Sequence, residues 1–239
     1  GCREIPSIIH SLPRLQREKA SSMHQNEENP QSIRLGDVAP DFEAVTTHGP
    51  IRFSDWHDGR WTILFAHPAD FTPVCTSEFI EFARIENELK ARGVALLGSS
   101  IDSIYSHIAW LRDIEEKMGV QVNFPLIADL SQEVSKLYGM LHTSTSATAP
   151  VRSLFFIDGE RKVRAIISYP PEVGRSFIEI LRVIDALQAA DKFQVACPAN
   201  WTPGDDVIVP PPVTSKEASS RMEDPDIESQ SWYLSRKQI

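Results

Sequence analysis

The chain has 239 residues, 41% of them hydrophobic and 24% charged, which is ordinary for a soluble globular protein. Its net charge of −9 disfavours nucleic acid as a partner, and its apolar runs are too short for a transmembrane helix. Three widely spaced cysteines, Cys2, Cys75 and Cys197, form neither a secreted disulfide framework nor a zinc motif, so we expect a reducing, cytoplasmic location.

The first 33 residues are polar and lack the apolar core of a secretory signal. Gly1 and Cys2 suggest acylation, but Ile5 stands where that motif requires Ser or Thr. The basic first half leaves a processed targeting remnant as an alternative. We expect residues 1–33 to form a disordered tail.

The following elements are predicted from apolar periodicity and turn residues. A hairpin over residues 41–56 turns at 48–50, a buried strand covers 61–66, and a helix follows from Pro73 to about Gly93. Strands are predicted at 93–102 and 124–129, helices at 103–119, 130–140 and 174–192, and a hairpin at 153–169 that turns at Asp158-Gly159.

Strands and helices alternate up to the second hairpin, which predicts a mixed sheet with right-handed crossovers. The fold expected for residues 34–192 is a thioredoxin-like α/β sandwich with a mixed central sheet. Residues 193–239 are rich in proline and predict an extended C-terminal arm that wraps its own domain or a partner subunit.

Cys75 lies at the junction between the buried strand and the next helix. Thr72 suits the N-cap and Pro73 the first helical position, which places Cys75 in the first turn. Unpaired backbone N–H groups and the helix dipole favour an anion there, so a thiol ionises more easily and becomes a nucleophile. The alternative is an inert buried cysteine, which is common.

The stretch "PADFTPVC", residues 68–75, matches the Pro-x-x-x-Thr-x-x-Cys signature of the peroxiredoxins. The resemblance extends over about residues 34–234 and is closest to the one-cysteine subfamily, through the segments "SHIAW", "FPLIAD", "APVRSLFFID", "GRSFIEILRVIDALQ" and "PANWTPGDDVIVPPP". It implies a thiol-dependent peroxidase with an antioxidant role. Hydrogen peroxide or an organic hydroperoxide would oxidise the cysteine to a sulfenic acid.

The resemblance also implies roles for individual residues. Cys75 would be the peroxidatic cysteine, Thr72 would hydrogen-bond the thiolate or the peroxide, Pro68 would shield the site, and His67 would lie beside it. Arg152 matches the active-site arginine of the family, although from the residues alone it would be a surface strand arginine.

Two further charged residues fall near this predicted site. Arg175 matches a second arginine of the family near the site. Glu78 is either a solvated carboxylate in the first turn or an orienting partner for one of these arginines, and the sequence leaves both alternatives open.

No metal or cofactor is expected, because His107 and His142 have no partner at ligand spacing. Trp110, on the apolar face of its helix, is interpreted as a core residue. Some one-cysteine relatives carry a phospholipase site, but here Arg60 replaces its serine and Ser54 its histidine, so that activity is not expected.

Cys197 admits two interpretations. The stretch "VACPANW" resembles the segment that holds the resolving cysteine in two-cysteine peroxiredoxins, so Cys197 would form a disulfide with Cys75 of a partner subunit. Otherwise it is a small apolar filler in a one-cysteine enzyme, and an external thiol, glutathione or a thioredoxin-like protein, would be the reductant. The resemblance implies a homodimer and allows a higher oligomer.

Two rival functions remain to be weighed against a peroxidase. A non-enzymatic chaperone or signalling assembly is compatible with the arm, since peroxiredoxins also form rings. A disulfide reductase is disfavoured because "PVCTSE" lacks the second cysteine of a Cys-x-x-Cys motif.

Overall fold

The structure is a computed structural model and describes residues 33–146 and 148–239. The predicted disordered tail lies outside the described residues except for Ile33, which packs against the core. The helices are α1 Phe53–His57, α2 Pro73–Ala91, α3 Ile104–Met118, α4 Glu133–Leu137, α5 Phe177–Phe193 and α6 Ser215–Glu223. The strands are β1 Glu43–Thr46, β2 Gly49–Arg52, β3 Trp61–Ala66, β4 Val94–Ser100, β5 Leu126–Ala128, β6 Arg152–Ile157, β7 Val163–Tyr169, β8 Val207–Ile208, β9 Glu228–Ser231 and β10 Leu234–Lys237.

Seven strands form one mixed sheet in the order β2-β1-β5-β4-β3-β6-β7. Strands β3, β4 and β5 pair in parallel, which requires the helical crossovers α2 and α3 between them. Strands β6 and β7 add to β3 in antiparallel pairs, as the second predicted hairpin requires. The thioredoxin-like α/β sandwich with a mixed central sheet is confirmed.

Helices cover both faces of this sheet. Ile63 and Phe65 of β3 pack in a cluster with α2, α3 and α5. Leu64 and Ala66 pack in a second cluster with α1 and α4. Since side chains alternate along a strand, the two clusters lie on opposite faces, which explains why β3 is an uninterrupted apolar run.

The first predicted hairpin is correct in kind but wrong in its details. The turn lies at Thr47 and His48, because Thr46 pairs with Gly49, and residues 53–57 form helix α1 instead of continuing the strand. A helix of five residues gives too little periodicity to be recognised in sequence.

Helix α5 also begins later than predicted, since Ser176 is its N-cap and accepts a hydrogen bond from the backbone N–H of Glu179.

The C-terminal arm, residues 193–239, carries more regular structure than predicted. It contains α6 and a three-stranded sheet in the order β8-β10-β9. Trp201 and Val207 are buried and pack against α5 through Ala186. Polar strands such as "ESQS" in β9 lack the apolar alternation by which strands are recognised, so they were not predicted.

Every helix of the described residues is too short or too polar to cross a lipid bilayer.

His57 at the end of α1 predicts a loss of stability at acidic pH. It is 1% exposed and its Nδ1 lies 2.9 Å from the Thr62 hydroxyl. Burial lowers its pKa, so the unfolded chain binds a proton at a higher pH than the folded chain. The free energy of unfolding should therefore fall as the pH drops below about 6.5, the ordinary pKa of histidine.

His57→Asn is expected to remove this contribution. We measure the free energy of unfolding with urea at several pH values below about 6.5. Its slope against pH should decrease in this variant by up to the amount that one bound proton contributes. Replacing the exposed His48 with asparagine is the matched control. An identical slope in wild type and His57→Asn would contradict the prediction.

Candidate active site

Cys75 occupies the first turn of α2, as predicted. The helix begins at Pro73 after an extended Thr72, and the Cys75 side chain is fully buried. Proline at this position costs no hydrogen bond, because the first N–H groups of a helix have no partner within the helix. The sulfur therefore lies at the N-terminal end of the helix dipole, which favours a negative charge.

Thr72 is the N-cap residue by position, but its side chain does not cap the helix. Its hydroxyl donates to the Ala69 carbonyl at 2.8 Å. The Thr72 carbonyl in turn accepts from the backbone N–H and the hydroxyl of Thr76, at 2.9 and 2.8 Å. The Thr72 hydroxyl thus makes no hydrogen bond to Cys75 in this structure, which was one of the two predicted alternatives. Because the hydroxyl proton is donated to the Ala69 carbonyl, the Thr72 oxygen remains free to accept a hydrogen bond.

Arg152, the first residue of β6, lies against the sulfur. Its Nη1 is 3.3 Å from Cys75 Sγ and 2.9 Å from Glu78 Oε2. Its Nε donates to the Pro171 carbonyl at 2.9 Å, and a second contact to the same oxygen comes from Nη2. The residue is 3% exposed, so it is not the surface arginine that its position in the sequence alone suggests.

Glu78 is an orienting partner for both arginines. Its Oε1 accepts from the backbone N–H and Nε of Arg175, each at 2.9 Å, and its Oε2 accepts from Nη2 of Arg175 at 2.7 Å. Burial opposes ionisation of Glu78, but the hydrogen bonds and charge of Arg175, with the charge of Arg152, hold its pKa below its ordinary value. The alternative of a solvated carboxylate is excluded, since Glu78 is 2% exposed.

The charged side chains around Cys75 leave a net positive charge beside its sulfur. Two buried guanidinium groups and one carboxylate leave one positive charge beside Sγ. A buried charge is costly unless it is paired, and the nearest unpaired group to this positive charge is the Cys75 sulfur. This arrangement favours negative charge at the sulfur.

The remaining predicted residues lie in the loop before α2. His67 is fully buried, and its Nε2 lies 2.9 Å from Asp70 Oδ1. Burial lowers the pKa of His67 against the opposing effect of Asp70, so its ring is neutral. Pro68 is half-buried, and its role as a shield stays a prediction.

The hydrogen-bond partners of His67 were not predicted from the sequence. Asp70, Ser106 and His107 form a buried hydrogen-bond network with it. The available signal was a histidine on the buried face of α3, because a buried imidazole requires polar partners.

Among the described residues, His67, Asp70 and Asp102 place metal-ligand atoms within 4.8 Å of one another. The Asp70 oxygens accept from His67, Ser106 and His107, and Asp102 accepts from Ser100. The carboxylates are thus satisfied by protein donors.

Two other interpretations from the sequence can be compared with the structure. Trp110 is a core residue, 1% exposed, whose Nε1 donates to the Thr76 hydroxyl at 3.3 Å. At the rejected phospholipase position, the Arg60 guanidinium contacts the Trp56 ring and the Trp56 and His57 carbonyls.

Cys197 packs away from this group of residues. Its Sγ lies 3.5 Å from the Ala186 carbonyl of α5, in a small cluster with Val195, Trp201 and Val207. Burial raises the pKa of the Cys197 thiol, although Arg182 acts in the opposite direction. A thiol with a raised pKa is a poor nucleophile at neutral pH.

Comparison with known proteins identifies two families along the chain. The AhpC/TSA family matches residues 35–166, and the C-terminal domain of 1-Cys peroxiredoxin matches residues 186–224. A peroxiredoxin from Aquifex aeolicus is 48% identical over 216 residues, which cover 86% of this chain and 97% of the relative.

Two solved structures are similar over most of the chain. A yeast mitochondrial 1-Cys peroxiredoxin, studied for thiol resolution through glutathione and thioredoxin systems, has a TM-score of 0.77 at 41% identity and covers 87% of this chain and 100% of its own. A cysteine-to-serine variant of peroxiredoxin 6 from Arenicola marina has a TM-score of 0.79 at 38% identity and covers 87% and 98%.

Proposed function

Since the chain belongs to the AhpC/TSA family of peroxiredoxins and is a thiol-dependent peroxidase, we propose that Cys75 is its peroxidatic cysteine and Arg152 its main catalytic partner. The observation that carries the proposal is the contact of 3.3 Å between Arg152 Nη1 and Cys75 Sγ inside a buried group of charges. Arg175 and Glu78 hold that guanidinium in place.

The reaction follows from this arrangement. The Cys75 thiolate attacks the terminal oxygen of a hydroperoxide, an S–O bond forms as the O–O bond breaks, and the electron pair leaves on the distal oxygen. That oxygen takes up a proton to give an alcohol or water, and Cys75 becomes a sulfenic acid. Negative charge moves from sulfur to oxygen, so a fixed guanidinium beside both atoms stabilises the transition state.

Thr72 and Pro68 are assigned supporting roles. With its proton donated to Ala69, the Thr72 oxygen is suited to accept a hydrogen bond from the O–H of the bound peroxide. Pro68 would limit the access of water to the sulfur, and His67 would support the loop that carries both residues.

The reductant is proposed to be an external thiol, glutathione or a thioredoxin-like protein. The yeast relative is resolved through these two systems, and the packing of Cys197 against Ala186 favours a one-cysteine cycle. The two described cysteines are free thiols, which agrees with a reducing compartment, and we propose the cytoplasm.

A homodimer, and a higher oligomer built from it, is proposed as the functional unit. Large apolar side chains of the arm are exposed, with Val213 92% and Tyr233 61% accessible. Val213 and Trp232 line one surface pocket, and the Trp232 and Tyr233 rings pack edge to face, so these side chains form a cluster of the kind that marks protein interfaces. Turnover of peroxide by protein diluted to the dimer would distinguish an enzyme from an assembly that acts only as a chaperone.

The one-cysteine cycle predicts a monomer band on a non-reducing denaturing gel. After one equivalent of hydrogen peroxide, wild type should gain oxygen at Cys75 without forming a disulfide-linked dimer, because the Cys197 thiol is packed against α5. Cys197→Ser should behave in the same way, and Cys75→Ser is the control. A dimer band that disappears in Cys197→Ser would contradict this cycle and make Cys197 the resolving cysteine.

A further inference from the structure

A buried carboxylate, Asp70, lies in the site loop, residues 67–72, which joins β3 to α2. The Asp70 side chain is 1% exposed. Its Oδ1 is 2.9 Å from His67 Nε2, and its Oδ2 is 2.7 Å from His107 Nδ1. The Ser106 hydroxyl also donates to Oδ2, at 2.8 Å. One side chain of the loop is therefore bound to two residues of α3.

Asp70 is held in its ionised form within this network. Burial opposes ionisation of Asp70, but hydrogen bonds from His107 and His67 outweigh it and lower its pKa to about 2. His107 Nε2 lies 3.0 Å from the Ile127 carbonyl oxygen, which only accepts. Both ring nitrogens of the fully buried His107 thus lie within hydrogen-bond distance of oxygen atoms, one on the site loop and one on β5.

This network connects the site loop to the neighbouring elements. The backbone N–H of Asp70 donates to Asp102 Oδ2 at 3.0 Å, just after β4, and His107 reaches β5 through Ile127. The same loop contains Ala69 and Thr72, which bond to each other at its other end. The contacts of Asp70 therefore hold the backbone of the site loop in one position as it enters the first turn of α2.

We propose that Asp70, together with His107, is a positioning residue for peroxide reduction, because it fixes the site loop so that Thr72 and Cys75 face Arg152 in the geometry for in-line attack. The inference rests on the proposed function of Cys75. Asp70 itself bonds to the loop and α3, and acts on the reaction through Thr72 and Cys75.

Peroxide reduction and thiol alkylation should respond differently to a displaced loop. Transfer of oxygen needs the sulfur, the Thr72 oxygen and Arg152 in register, and a displacement of about 1 Å in such a site lowers rates about 100-fold. Iodoacetamide needs an accessible thiolate and uses no alignment with Thr72. The ratio of the peroxide rate to the alkylation rate of Cys75 therefore reports positioning, whereas general unfolding changes both.

The experiment measures both rates by mass spectrometry of the Cys75 peptide in full-length Asp70→Asn. Asparagine keeps the size of the side chain but removes the charge that binds His107. The peroxide rate should fall about 100-fold, whereas the alkylation rate should not fall by more than about threefold. Asp185→Asn is the matched control, because it breaks an ion pair with Arg92 outside the site and should leave the ratio unchanged.

Ser106→Ala is a milder second variant, for the case in which Asp70→Asn does not fold. It removes one hydrogen bond to Asp70 and should lower the ratio about fivefold. A ratio changed by less than about twofold in each variant that folds would overturn the positioning role. Failure of wild-type Cys75 to gain oxygen would instead overturn the proposed function.

Discussion

Replacing Cys75 with serine is expected to abolish peroxide turnover, with a fall of at least about 1000-fold in rate. A hydroxyl stays protonated at neutral pH, so it neither supplies the nucleophile nor pairs with the positive charge of Arg152 beside it. The measurement is peroxide consumption with dithiothreitol as reductant.

Cys197→Ser is the matched control for this change. It removes a thiol that packs against Ala186 in a separate small cluster, so under the one-cysteine cycle turnover should stay within about threefold of wild type. Substantial turnover by Cys75→Ser would show that another residue carries the reaction.

Arg152→Lys is expected to lower the rate of Cys75 oxidation about 100-fold, even though the charge is kept. The guanidinium contacts Cys75 Sγ, Glu78 Oε2 and the Pro171 carbonyl at the same time. An ammonium group is a point donor on a flexible stem, so it does not hold all three contacts in one plane. The rate is measured with hydrogen peroxide under single-turnover conditions.

The control for Arg152→Lys is Arg92→Lys. Arg92 also makes a two-pronged contact, with Asp185 at 2.6 and 3.0 Å, but it lies at the C-terminal end of α2. This variant should oxidise Cys75 within about threefold of the wild-type rate. If Arg152→Lys reacts as fast as this control, the prediction is wrong. Arg152 would then contribute only its charge and its packing, and the forked shape of the guanidinium would not matter for the rate.

The sequence alone placed Cys75 in the first turn of a helix because its signals are local. Thr72, Pro73 and Cys75 are neighbours, and their order places the cysteine in the first helical turn that the structure contains. The central strand was equally clear, since burial on both faces leaves no alternation in residues 61–66. Short elements such as α1 and β9 were not recognised, because they contain too few residues in an apolar pattern to indicate a helix or a strand.

The partners of Cys75 come from distant parts of the chain. Arg152 is 77 residues from Cys75, and Arg175 is 97 residues from Glu78, so only the folded sheet brings them together. Resemblance to a family pointed to the arginines, but it left the role of Glu78 open. Asp70 and His107 are 37 residues apart and were missed, because nothing local distinguishes a loop carboxylate that is solvated from one that is buried.

The most direct test of the central claim is to identify the atom that peroxide oxidises first. Wild-type protein is treated with one equivalent of hydrogen peroxide, the sulfenic acid is trapped with dimedone, and the modified peptide is sequenced by mass spectrometry. The account predicts one adduct, on Cys75, at the position that Arg152 contacts. An adduct on Cys197 or Cys2 with Cys75 unmodified would contradict it.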